Sequence, residues 1–109
     1  MRFCVVMVTA PKGKEAARLA RLVVEKRLAA CVNILKDVTS FFRWEGKIDQ
    51  ASEALLIMKT TRARLPELVK TVTKAHSYSV CEVIALPIVG GNKPYHDWVK
   101  VSCGKEKKR

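Results

Sequence analysis

Clustered metal-binding cysteines are missing from this chain. Cys4, Cys31, Cys81 and Cys103 stand far apart, no Cys-x-x-Cys occurs, and there are only 2 histidines. A zinc site built from neighbouring thiolates and imidazoles is therefore not expected. Each thiol reads instead as a small hydrophobe kept reduced, with Cys103, beside a basic tail, expected to be the exposed one. No apolar run approaches the ~20 residues that cross a bilayer. Residues 1–8 carry one basic residue and then alternate like a strand into Thr9-Ala10-Pro11. A cleavable leader is not read there, and a cytoplasmic protein is expected. A phosphate-cradling glycine loop is also absent, because Gly90-Gly91 lacks the required spacing. Acid is scarce: 21 Lys+Arg against 10 Asp+Glu leave a net charge of +11. Such an excess attracts nucleic acid or acidic membranes. Part of it, however, lies in residues 104–109, which read as a frayed basic tail, and the rest is spread over two helices and a hairpin. The paired surface aromatics of RNA-recognition domains are not visible either, so neither a specific nucleic acid nor a membrane is an expected partner.

What is present is one domain, residues 1–103, with 49% hydrophobic residues across the 109-residue chain. Residues 1–9 are β-branched and apolar and read as a buried strand that Pro11 and Gly13 end. From 14 to 28, Ala16, Leu19, Ala20, Val23 and Leu28 recur at helical steps, with charge on the opposite face. A second strand starts at Cys31, bends within 37–40 and resumes through Trp44. Glu45-Gly46-Lys47 supplies a turn with Gly46 at a positive-φ position, and residues 48–60 return as a long strand. A second helix over 61–76 tolerates Pro66 only in its first turn. Residues 82–89 form a last strand whose Pro87 argues for a sheet edge. Residues 95–102 make a short helix or turn packing Tyr95, Trp98 and Val99.

The order strand, helix, strand, strand, helix, strand predicts an α+β, ferredoxin-like βαββαβ plait: an antiparallel sheet with both helices on one face, plus the short C-terminal helix. Two consequences follow from this arrangement. The hairpin arms are longer than the ~5–6 residues usual for strands, and the sheet's other face is bare. Both predict self-association, since soluble monomers rarely leave so much apolar surface uncovered.

The residues also resemble those of a known family. Val8-Thr9-Ala10-Pro11, residues 27–34, Trp44-Glu45-Gly46-Lys47-Ile48, Lys59-Thr60, His76-x-Tyr78, residues 82–87 and Gly91-Asn92-x-Pro94-Tyr95-x-x-Trp98 are similar, in order and spacing, to the motifs of the CutA family, the divalent-cation-tolerance proteins. The segment 82–98 looks closer to eukaryotic members. The resemblance implies a homotrimer of ferredoxin-like subunits, similar in outline to PII-type signalling trimers. It further implies a part in tolerance of copper and other divalent metals, and no enzymatic activity. It implies no required cofactor, with copper or another divalent ion as the candidate ligand. The chain departs from the bacterial pattern in several places. Val8 replaces a cysteine and Ala75 a histidine, His-Pro-Tyr becomes His76-Ser77-Tyr78, and Phe42 and Cys81 are further changes; of the proposed copper ligands only Glu82 is kept.

Two groups of residues are candidates for chemistry. His76, Glu82 and, more weakly, Cys81 combine imidazole, carboxylate and thiolate within seven residues, a set that suits copper or zinc. The plainer alternative has His76 offsetting the dipole at a helix C-terminus, with Tyr78 and Glu82 bonding across a subunit boundary. Trp44, Lys47 and Lys59 are expected to cluster on the hairpin in an intersubunit cleft, with Tyr78 and Trp98 at the same interface, where the lysines would attract a small anion. Alternatively Trp44 is an interface anchor and the lysines are solvated. A second functional reading is thus a trimeric signalling or scaffold module that binds an anion or a protein in its clefts. His96-Asp97 is not read as catalytic, because adjacent helical residues point about 100° apart.

Overall fold

The computed structural model describes residues 2–104. The basic tail expected over 104–109 lies, from residue 105 on, outside the described residues. The elements are β1 (Phe3–Ala10), α1 (Lys14–Glu25), β2 (Cys31–Trp44), β3 (Lys47–Thr61), a 3-10 turn (Arg62–Arg64), α2 (Leu65–Ala75), β4 (Val83–Pro87) and α3 (Lys93–Ser102). The strands form one antiparallel sheet in the order β2-β3-β1-β4, the connectivity expected of the plait. Pro87 ends an edge strand, where its missing N–H leaves no ladder bond unmade.

Burial follows the two-residue period of the strands. Cys4, Val6, Val8 and Ala10 of β1 stand opposite Thr60, Met58, Leu56 and Ala54 of β3, and all are buried. Leu19 and Val23 of α1 and Leu68 and Val72 of α2 pack into the same core. Thr60 is the one polar member of those strand pairs, and its hydroxyl donates to the Leu28 carbonyl at 2.6 Å.

Several boundaries differ from expectation for local reasons. Helix α1 stops at Glu25 rather than 28, because Arg27 takes a left-handed φ of 58° and the amides of Leu28 and Ala29 both turn back to the Val23 carbonyl. Leu28 stays in the core through this turn, which is why it matched the helical stripe. Helix α2 starts at Leu65, not 61, since Pro66 must fall in the first turn, and residues 62–64 wind as a 3-10 turn. The hairpin tip is a two-residue turn, Glu45 and Gly46 both at positive φ, with Trp44 paired to Lys47 in the ladder. The expected bend in β2 is a register shift between Leu35 and Val38. In α3 only Val99 is sealed; Tyr95 and Trp98 rest on one another, ring centres 5.6 Å apart, and stay partly exposed. Cys103, expected at the surface, is buried 3.7 Å from the Thr60 hydroxyl, because α3 folds it with Val99 onto Ala30.

Candidate functional site

The junction between α2 and β4 is organised around His76. Extended backbone at this residue ends the helix and turns the ring inward, leaving its side chain with no exposed surface. One ring nitrogen, Nε2, lies 2.8 Å from the Thr9 carbonyl, and the other, Nδ1, accepts the Tyr78 N–H at 3.0 Å. In the neutral ring, an acceptor at Nδ1 places the proton on Nε2, which donates to Thr9. The Glu15 carboxylate lies 3.5 Å from Nδ1 and accepts the Ser77 N–H at 2.9 Å. Partial burial pushes the Glu15 carboxyl up, but the Ser77 hydrogen bonds, with help from His76 and Arg18, outweigh it and leave the pKa lowered.

Tyr78 completes the network. Its ring tilts against His76 at 4.7 Å and its hydroxyl donates to Glu53 Oε1 at 2.9 Å. Burial, then the hydrogen bond to Glu53 and the Glu53 and Glu15 charges, push its phenol up to about 12. The chain of contacts therefore ties α1, the end of β1 and β3 to one turn. Within the chain the Tyr78 hydroxyl is thus already partnered by Glu53. Thr9, Glu15 and Glu53 were not singled out from sequence; Ser77 and Glu15 are 62 residues apart, and no local spacing signals their meeting.

Both His76 nitrogens are engaged, Cys81 is half-buried, and Glu82 is exposed. Among the described residues no three His, Cys, Asp or Glu side chains converge. Cys81 and Glu82 instead line an open groove of about 820 Å3, together with Phe42, Trp44, Glu53 and Tyr78.

The second expected cluster separates into two. Trp44 and Lys47 face one another at the hairpin tip, whereas Lys59 lies 12 positions further along β3, roughly 40 Å away at ~3.3 Å per residue. They do not meet within one chain. At the arm's base, the Lys59 ammonium donates to Asn33 Oδ1, and no carboxylate pairs with it among the described residues. Cys31 and Val5 are its strand neighbours on either side. Tyr95 closes this group: burial, then the adjoining Cys31 thiol, raise its phenol. Trp98 touches Tyr95 and so belongs with the base, not the tip. The His96-Asp97 pair is divided as expected. Asp97 bonds Lys93 at 2.8 Å, and His96 stacks on Phe3 at 4.9 Å.

Around both clusters lies uncovered apolar surface. On the face away from the helices, Leu35–Leu55, Ile57–Met7–Ile84 and Val5–Leu86 are directly opposed on neighbouring strands. At the tip, Phe41 is 69% and Ile48 72% exposed. No helix of the described residues is long and apolar enough to cross a membrane.

Comparison with known proteins agrees with this fold. The family model described as CutA1 divalent ion tolerance protein matches residues 4–102. Protein CutA of Mus musculus is 51% identical over 92 residues, covering 84% of this chain and 52% of that protein. The divalent-cation tolerance protein CutA of Thermus thermophilus is 44% identical over 100 residues, covering 92% and 97% respectively. The crystal structure of CutA1 from Oryza sativa superposes with a TM-score of 0.93 at 43% identity and 97% coverage of each chain. The chain thus spans about half the length of the mouse protein and nearly all of the bacterial one.

Proposed function

The chain belongs to the CutA1 divalent ion tolerance family, and from that premise we propose that it acts in tolerance of divalent metals, copper among them, as a non-enzymatic homotrimer. The observation that carries the assembly is the apolar sheet face together with the exposed Phe41, Trp44 and Ile48 of the overlong hairpin. Three copies related by rotation let each arm reach across a neighbour and cover that neighbour's open face, and a closed ring leaves no edge free to grow. The resulting outline is that of PII-type trimers. Four free cysteines suit a reducing compartment, for which we propose the cytoplasm.

Metal contact in this reading is weak and superficial. Glu82 and Cys81 are the accessible donors, and His76 joins them only by releasing the Tyr78 amide. Calorimetry of freshly chelated protein with Cu(II) tests this. Binding is expected to be lost in Glu82→Gln and largely kept in His76→Ala; equal affinity in wild type and both variants removes the assignment. A growth assay in Cu(II) with and without the chain tests tolerance separately.

One observation favours a second reading, a trimeric signalling or scaffold module. Among the described residues the Lys59 ammonium has only a neutral amide for a partner while standing in an apolar row. Covering that face by a neighbour would desolvate the charge, and a small anion or a partner carboxylate would then offset it. Stabilisation by inorganic phosphate or citrate in a thermal-shift screen, abolished by Lys59→Met, is the outcome this reading expects.

A further inference from the structure

On the helical side of the sheet, away from the face assigned to self-association, a groove of about 700 Å3 runs between α1 and α2. Leu22, Thr71 and Ala75 are its half-buried residues, while Lys26, Pro66, Glu67, Lys70 and Lys74 are its exposed ones, with Glu67 the single carboxylate among them. Lys70 and Lys74 are four residues apart on α2 and so stand side by side, about 5–6 Å between Cβ atoms. Lys26 caps the end of α1 on the other wall.

The carboxylates near these lysines are already committed. Glu25 pairs with Arg21 at 2.8 Å, and Glu67 pairs with Arg64 at 3.4 Å. Among the described residues none of the three lysines has an ion-pair partner. The groove therefore presents three uncompensated ammonium groups around a recessed apolar strip, in a chain whose net charge is already +11. Like charges along both walls raise the local positive potential, which attracts a ligand of opposite sign.

We propose that this groove docks an acidic peptide segment, its carboxylates on Lys26, Lys70 and Lys74 and one apolar side chain against Leu22 and Ala75. The recess selects against a bilayer, which engages apolar groups that protrude beyond the charged ones. Among the described residues no aromatic side chain lines the groove, so they offer none of the stacking platforms that hold single-stranded nucleic acid. A peptide satisfies both features, with charge setting encounter and salt dependence and the apolar strip setting register.

Fluorescence anisotropy of a short labelled peptide, glutamates around a single leucine, tests the assignment on the intact protein. Saturable binding is expected, weakening about tenfold between ~50 and ~300 mM salt. Lys70→Glu, on an exposed helical face, is expected to weaken it about tenfold, and Lys100→Glu, an equal charge change on α3, less than about twofold. Replacing the peptide's leucine by serine is expected to cost several-fold. Equal losses from the two reversals, equal binding of the leucine-free peptide, or no saturable binding would each overturn the proposal. So would a single-stranded oligonucleotide that displaces the peptide and shows the same dependence on Lys70. Circular dichroism of the two variants separates lost binding from lost fold.

Discussion

Val6 and Met7 are neighbours in β1, as Leu56 and Ile57 are in β3, yet each pair is divided between two environments. Val6 and Leu56 lie under α1 and α2 with no exposed surface, while Met7 and Ile57 look out of the opposite face and stay partly exposed. The side chains are alike in kind, so the difference is one of cover. Residues 54–58 read Ala-Leu-Leu-Ile-Met, a continuous apolar run of the kind found in strands buried on both faces. The fold supplies a helical layer for only one of them. In the proposed trimer the second layer comes from another copy, and the long arm of β2 and β3 is the element suited to provide it.

Substitutions on the two faces sharpen this contrast. Leu56→Ala removes a sealed side chain and is expected to cost about 3 kcal/mol in denaturant unfolding; a loss below about 1 kcal/mol would mean that the helical face is not the tight core described. Ile57→Glu, one residue on, is expected to act on association instead. It places a carboxylate where, in the proposed trimer, a neighbouring subunit must desolvate it, at on the order of 2–3 kcal/mol per copy, and leaves far-ultraviolet circular dichroism unchanged. An Ile57→Glu protein with unaltered assembly would break the comparison.

The smallest expected effect lies at the turn. Glu15 has a folded pKa below its unfolded 4.5, so its charge contributes stability above that value and loses it as pH falls through the folded pKa. Glu15→Gln is expected to lower stability by about 1 kcal/mol at neutral pH, with wild type and variant converging in acid. A gap that stays constant down to pH ~3 would show that shape, not charge, holds the turn.

The plait was legible because its signals are local. Strand alternation in β1, the helical stripe from Ala16 to Val23, Gly46 at the hairpin tip and Pro87 at an edge all act within a few residues. Helix ends were less legible: Leu28 keeps its place in the core through a left-handed Arg27, so the stripe outlasted the helix. The site was least legible. Sequence proximity suggested that His76, Cys81 and Glu82 converge, but three-dimensional partners from α1, β1 and β3 claim His76 first. Likewise Lys47 and Lys59 share a strand, and an extended chain carries them apart rather than together. Asn33 and Tyr95 fell within matched motifs, but no spacing in the sequence showed that they meet at the base of the arm.

Multi-angle light scattering of the untagged protein at micromolar dilution tests the central claim most directly. Three chains of 12.2 kDa in one particle, falling to single chains in Ile57→Glu, is the predicted result. A well-folded 12.2 kDa species at the same dilution, its open face in water, would contradict it.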